Sequence, residues 1–136
     1  MAFRRAMLDQ IGGFDERLGA GTSFPSEDID AAAAVLWAGV PGAYAPRPVV
    51  YHHHGRKTEA EANALMRGYD AGRGAYFMKY ILRKDSRTAF LRAWAGSIKG
   101  DFLGSFRKAR LPQKTIRELS SGLRFALQCA ASRRDR

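Results

Sequence analysis

Ala43-Tyr44-Ala45-Pro46-Arg47-Pro48-Val49-Val50-Tyr51-His52-His53-His54 is the stretch on which the fold class turns. Two prolines precede three residues of high strand propensity, and proline cannot donate to a sheet ladder. The reading is a loop or edge segment passing into a short strand at Val49–Tyr51, closed by the histidines and Gly55. A single strand makes no sheet, and an unpaired strand edge needs another strand beside it. The expectation is therefore an α/β protein, predominantly helical over these residues with few strands, forming part of a larger domain.

Helical patterns flank the stretch on both sides. Phe3, Met7, Leu8 and Ile11 share one face of a short helix that Gly12-Gly13 should end. The run Gly19-Ala20-Gly21-Thr22-Ser23-Phe24-Pro25 is a loop by composition. A second helix is expected from Ser26, a capping residue, through four alanines to Trp37, stopping at Gly39. From about Thr58 to Leu82 apolar residues recur at three- and four-residue spacing. Gly68, Gly72 and Gly74 lie inside that pattern, where each costs about 1 kcal/mol against alanine. They predict a kink or a close backbone contact. Two more helices follow, over about 86–107 and 112–132, the second opened by Pro112.

The 136 residues suffice for one core but not comfortably for two. At 46% apolar and 26% charged, the composition is that of a globular protein. No apolar run approaches the roughly eighteen residues a spanning helix needs, and no secretory h-region follows the basic N-terminus. A lone Cys129 excludes an internal disulfide and a thiolate-rich zinc site, and fits a reducing compartment. The net charge of +10 is unevenly placed. Residues 1–82 carry nine Lys/Arg and nine Asp/Glu, whereas residues 83–136 carry fourteen against four. An anionic partner for the C-terminal segment is implied, unless the charge only solvates a face.

Three groups could carry chemistry. Glu27-Asp28-Ile29-Asp30 sits where a loop enters a helix. One of its carboxylates can act as general base on a hydroxyl; acidic residues there also simply favour the helix dipole. His52-His53-His54 follows the expected strand, with His52 and His54 on one face, and offers a metal or phosphate ligand or a plain surface cluster. Arg67, Arg73 and Lys79 interleave with tyrosines that serve either a binding site or the core. No P-loop, dinucleotide fingerprint or zinc spacing is present.

Taken in order, these strings resemble family-2 glycosyltransferases. Ala2-Phe3-Arg4-Arg5, then Gly12-Gly13-Phe14-Asp15-Glu16, then Glu27-Asp28-Ile29-Asp30, then Val49-Val50-Tyr51-His52 match the second half of that family's nucleotide-sugar domain. The resemblance covers residues 1 to about 84. It implies a partial GT-A fold over 1–84, with residues 85–136 as a basic helical extension. It implies an inverting transfer from a nucleotide-diphospho-sugar to the hydroxyl of a glycan or lipid-linked acceptor, in cell-envelope polysaccharide synthesis. Asp28 would be the base and Glu27 its orienting neighbour. Asp30 would support them or, with Phe24 and Phe14, contact the acceptor. Arg73 and Arg67 would neutralise the leaving diphosphate. His52, or His54 on the same face, would help hold a divalent cation, Mn or Mg.

The chain also departs from that pattern. Ser26 stands where many relatives have glycine, and no arginine follows in the run Ala31 to Leu36. The Gln-x-x-Arg-Trp motif of processive synthases is absent, which favours single transfers. The Asp-x-Asp metal motif and nucleotide-recognition strands are not found, so a donor half is expected elsewhere and the chain alone should transfer little. The expected location is cytoplasmic, at the inner face of the membrane, with a peripheral contact through residues 83–110. The competing expectation is a non-catalytic basic helical module that binds a membrane surface or an acidic partner. No nucleic-acid reader motif accompanies the charge.

Overall fold

The computed structural model describes residues 1–51, 53, 55–105 and 113–134. They form five helices: α1 (Arg5–Ile11), α2 (Glu27–Trp37), α3 (Glu59–Ile81), α4 (Arg87–Ser105) and α5 (Gln113–Arg134). Among the described residues there is no strand, so the α/β expectation, and the GT-A fold with it, is overturned. Val49, Val50 and Tyr51, in the stretch that decided that reading, have no regular structure and are 71%, 86% and 95% exposed. A strand exists only when a neighbour takes up its backbone N–H and C=O groups. No described segment lies alongside these residues to do so.

The helix ends follow local chemistry. Gly12, at φ 82°, closes α1 in the left-handed conformation. Thr58 caps α3 in a reciprocal box: its hydroxyl accepts from Glu61 N, and the Glu61 carboxylate accepts from Thr58 N. Ser26 precedes α2 but makes no side-chain capping bond.

α3 runs unbroken through its glycines, so they mark close contacts and not a kink. A Cβ on Gly72 would collide with the carbonyl of Pro25. One on Gly74 would collide with the backbone of Glu118 in α5. Gly122 of α5 faces the ring of Trp94 and the carbonyl of Gly74. The small residues thus let α5 lie backbone-close along α3, where the Ser121 hydroxyl donates to the Ala71 carbonyl.

Side chains from both ends of the chain close the core. Leu18, Phe24, Ala75 and Phe125 form one cluster, with Phe24 edge-on to Phe125 at 5.6 Å. A second, aromatic cluster joins α3 to α4: Tyr80 stacks on Phe90 at 4.3 Å and Phe77 on Trp94 at 5.5 Å. Trp94 Nε1 donates to the fully buried Glu118 at 2.9 Å, so the indole that fills the core also ties α4 to α5. Residues on both sides of position 84 therefore share one interior. No helix among the described residues is long and apolar enough to cross a membrane.

Candidate functional site

The loop before α2 is closed on itself. Gly19 N donates to Phe24 O at 3.0 Å, and the Thr22 hydroxyl bridges Gly19 O at 2.9 Å and Phe24 N at 3.0 Å. Leu18 and Phe24 anchor the loop's two ends in the core, which leaves its tip outside. Pro25 then rests on Gly72, and this contact sets how closely the first turn of α2 approaches α3.

A cavity of about 680 Å³ opens between them. Ala20, Ser26, Glu27 and Asp28 line one side of it, and Tyr69, Arg73, Tyr76 and Phe77 line the other. Asp28 is exposed, and its Oδ1 accepts from Ile29 N at 2.8 Å, which leaves Oδ2 to face a ligand. Glu27 packs beside Gly19, where a larger residue would press on its side chain. Arg73 lines the cavity with its guanidinium tied to α4 and α5: Nη2 donates to Ser97 Oγ at 2.7 Å, Nε lies 3.3 Å from Glu118 Oε1, and the guanidinium sits 5.2 Å over Phe77. The Ser26 hydroxyl is buried without a partner. With Arg73 neutralised by Glu118, the two carboxylates leave the cavity acidic, and its walls are aromatic.

Asp30 points the other way. It is 2% exposed and pairs with Lys79 at 2.6 Å, while the Tyr80 hydroxyl donates to its carbonyl at 3.1 Å. Lys79 also pairs with Asp15 at 2.9 Å, and Asp15 takes two bonds from the Arg17 side chain. One ammonium thus serves two carboxylates with opposite outcomes. Burial alone would raise Asp15, but the Arg17 and Lys79 bonds outweigh it and hold this carboxyl well below the usual range. Asp30 is buried more deeply, and its bond to Lys79 does not offset that burial, so its carboxyl is pushed up. Burial, with Asp30 close by, pushes the Tyr80 phenol up as well.

The structure thus brings together Asp28, Glu27 and Arg73 of the expected site. It places the others apart. Asp30 is in the ion cluster, and Phe24 is a core residue at 2% exposure. Phe14 is exposed beside Phe3, edge-on at 6.2 Å, and does not line the cavity. Arg67 is exposed and does not line it either. His52 and His54 lie outside the described residues. Among the described residues no group of three or more His, Cys, Asp or Glu is gathered to hold a metal ion.

Phe77 in the cavity wall and the ion cluster around Lys79 escape a reading by motif. Tyr69, Tyr76 and Phe77 join Arg73 as the far wall, and their positions do follow the i, i+4, i+7, i+8 spacing of one helix face. Lys79 is the hub of the ion cluster, yet it lies 49 residues from Asp30 and no local pattern links them. Compared with known proteins, the chain matches no family model, no curated protein and no solved structure.

Proposed function

We propose that this chain carries the acceptor-activating side of an inverting, nucleotide-sugar-dependent glycosyltransferase that makes single transfers. The observation that supports it is the cavity, which sets Glu27 and Asp28 opposite an aromatic wall. Aromatic faces pack against the C–H faces of a sugar ring, and carboxylates accept from its hydroxyls. The acidic lining disfavours a diphosphate by like-charge repulsion and suits a neutral polyhydroxylated acceptor. The resemblance over residues 1 to about 84 points the same way.

In this reading Asp28 accepts the proton of the acceptor hydroxyl. The freed oxygen pair forms a bond to the anomeric carbon of the donor sugar. The bond from that carbon to the diphosphate oxygen breaks on the opposite face, and the nucleoside diphosphate leaves with the electron pair. Glu27 accepts from a second hydroxyl and orients the ring. Tyr69 and Tyr76 position it.

The test is a heteronuclear NMR titration of the 136-residue chain with a panel of methyl glycosides and a short-chain lipid-linked saccharide. Shifts should cluster at residues 25–29 and 69–77 and be lost in Tyr69→Ala. In any preparation that releases nucleoside diphosphate from UDP-, GDP- or TDP-sugars, Asp28→Asn should lower kcat by about a hundredfold or more. A panel that leaves the cavity unperturbed overturns the reading. A turnover that survives Asp28→Asn removes Asp28 as the base.

A further inference from the structure

Among the described residues, the fold buries one side of α5. Thr115, Glu118, Ser121 and Phe125 are buried on the side that meets α3. On the other side Ile116, Leu119, Leu123 and Leu127 are 51%, 48%, 59% and 62% exposed. At about 100° per residue these four fall within an arc of about 80°, so they form one continuous aliphatic stripe. Arg124 and Arg117 run along one border of it, Arg117 held by Asp70 at 2.8 Å.

We propose that this outward face of α5 is a membrane-docking surface that lies flat on an anionic bilayer. The charge selects the occupant. Gln113–Arg134 holds five Lys/Arg and a single acidic residue, Glu118. That carboxylate is fully buried on the α3 side; Lys114 pairs with Asp101 at 2.9 Å and Arg117 with Asp70 at 2.8 Å, so among the described side chains the charge along the border of the stripe rests on Arg124. A second copy docked on the same stripe would set Arg124 against its equal within a C-terminal segment of fourteen Lys/Arg and four Asp/Glu, which costs association energy. The stripe is also purely aliphatic, whereas protein interfaces draw their energy chiefly from Trp, Tyr and Arg, with Leu under-represented. Acyl chains accept Leu and Ile without needing a shaped pocket, and anionic headgroups accept the arginines. No described helix is long and apolar enough to cross a bilayer, so α5 binds in the plane of the interface. This surface on α5 is distinct from the contact expected through residues 83–110, of which 106–110 lie outside the described residues. It is independent of the glycosyltransferase reading.

The experiment is co-sedimentation of the full 136-residue chain with vesicles of phosphatidylglycerol and phosphatidylcholine, against vesicles of phosphatidylcholine alone. The chain should partition onto the anionic vesicles and be released by salt. Leu123→Gln with Leu127→Gln should weaken partition about tenfold or more, because two aliphatic side chains no longer enter the interface. Its thermal midpoint should hold, since both side chains are more than half exposed. Arg124→Glu should weaken partition about fivefold or more. Three results overturn the proposal: no partition of the wild type, equal partition of the double variant, or a wild-type dimer in sedimentation velocity that the double variant converts to monomer. The last would assign the stripe to a second copy.

Discussion

Gly74→Ala tests the packing on which the fold depends, because two effects of opposite sign act on the same atom. In an isolated helix, alanine in place of glycine gains about 1 kcal/mol. At position 74, however, the added Cβ would overlap the carbonyl oxygen, carbonyl carbon and Cα of Glu118. These are backbone atoms of α5, so no side chain can swing aside, and α3 and α5 must separate. Overpacking of this kind costs about 1–3 kcal/mol and more where backbone must move. Separation also strains bonds that cross the same line: Ser121 to Ala71, Arg117 to Asp70 and Arg73 to Glu118. Taking the upper part of that range and subtracting the propensity gain leaves a net loss of about 2 kcal/mol, or a drop in Tm of about 8 °C for a chain of this size. Gly96→Ala and Gly100→Ala in α4 are the internal controls, since a Cβ there meets nothing within 4 Å. They should raise Tm slightly. Thermal denaturation followed by circular dichroism reads all three. If Gly74→Ala stabilises the protein as the α4 variants do, the close approach of α3 and α5 is refuted.

Lys79→Met should cost about 3 kcal/mol in urea denaturation, because it leaves the buried Asp30 without its cation and removes one of the two that hold Asp15. Unchanged stability would mean that the cluster is not formed. Asp15 has its carboxyl lowered in the fold, so the unfolded chain binds its proton first as pH falls. Its contribution is therefore present above an unfolded value near 3.9 and lost below it; Asp15→Asn should flatten the acid side of the Tm–pH curve, and an unchanged slope would count against the Arg17 and Lys79 pairing. Thr58→Ala should cost about 1 kcal/mol by removing one arm of the capping box, and hydrogen exchange should show the loss confined to the first turn of α3. Faster exchange spread evenly along α3 would contradict a local cap.

The helices themselves were legible in the sequence. Gly12 ends α1 where the pattern says it should, Thr58 opens α3, and the run from Glu27 to Trp37 matches its observed bounds, because caps and apolar spacing act within a turn or two of the backbone. The pairing of Glu27 and Asp28 at a helix start was equally local. Residues 49–51 misled for the complementary reason. Their strand propensity is a preference for a half-buried pleated surface, and no described neighbour supplies one. The glycines of α3 could signal a kink or a contact, and only the approach of Pro25 and Glu118 decides for contact. The direction of each charged side chain was likewise undetermined. Asp30 and Asp28 stand two residues apart on one helix, yet Asp30 turns inward because Lys79 waits there, 49 residues along the chain. Arg73 looked available to an anion until Ser97 and Glu118, brought in by α4 and α5, took its guanidinium. A residue's neighbours along the chain set its backbone. Whether its side chain serves core, cavity or surface depends on which distant helices arrive beside it, and that information is held only in the tertiary packing.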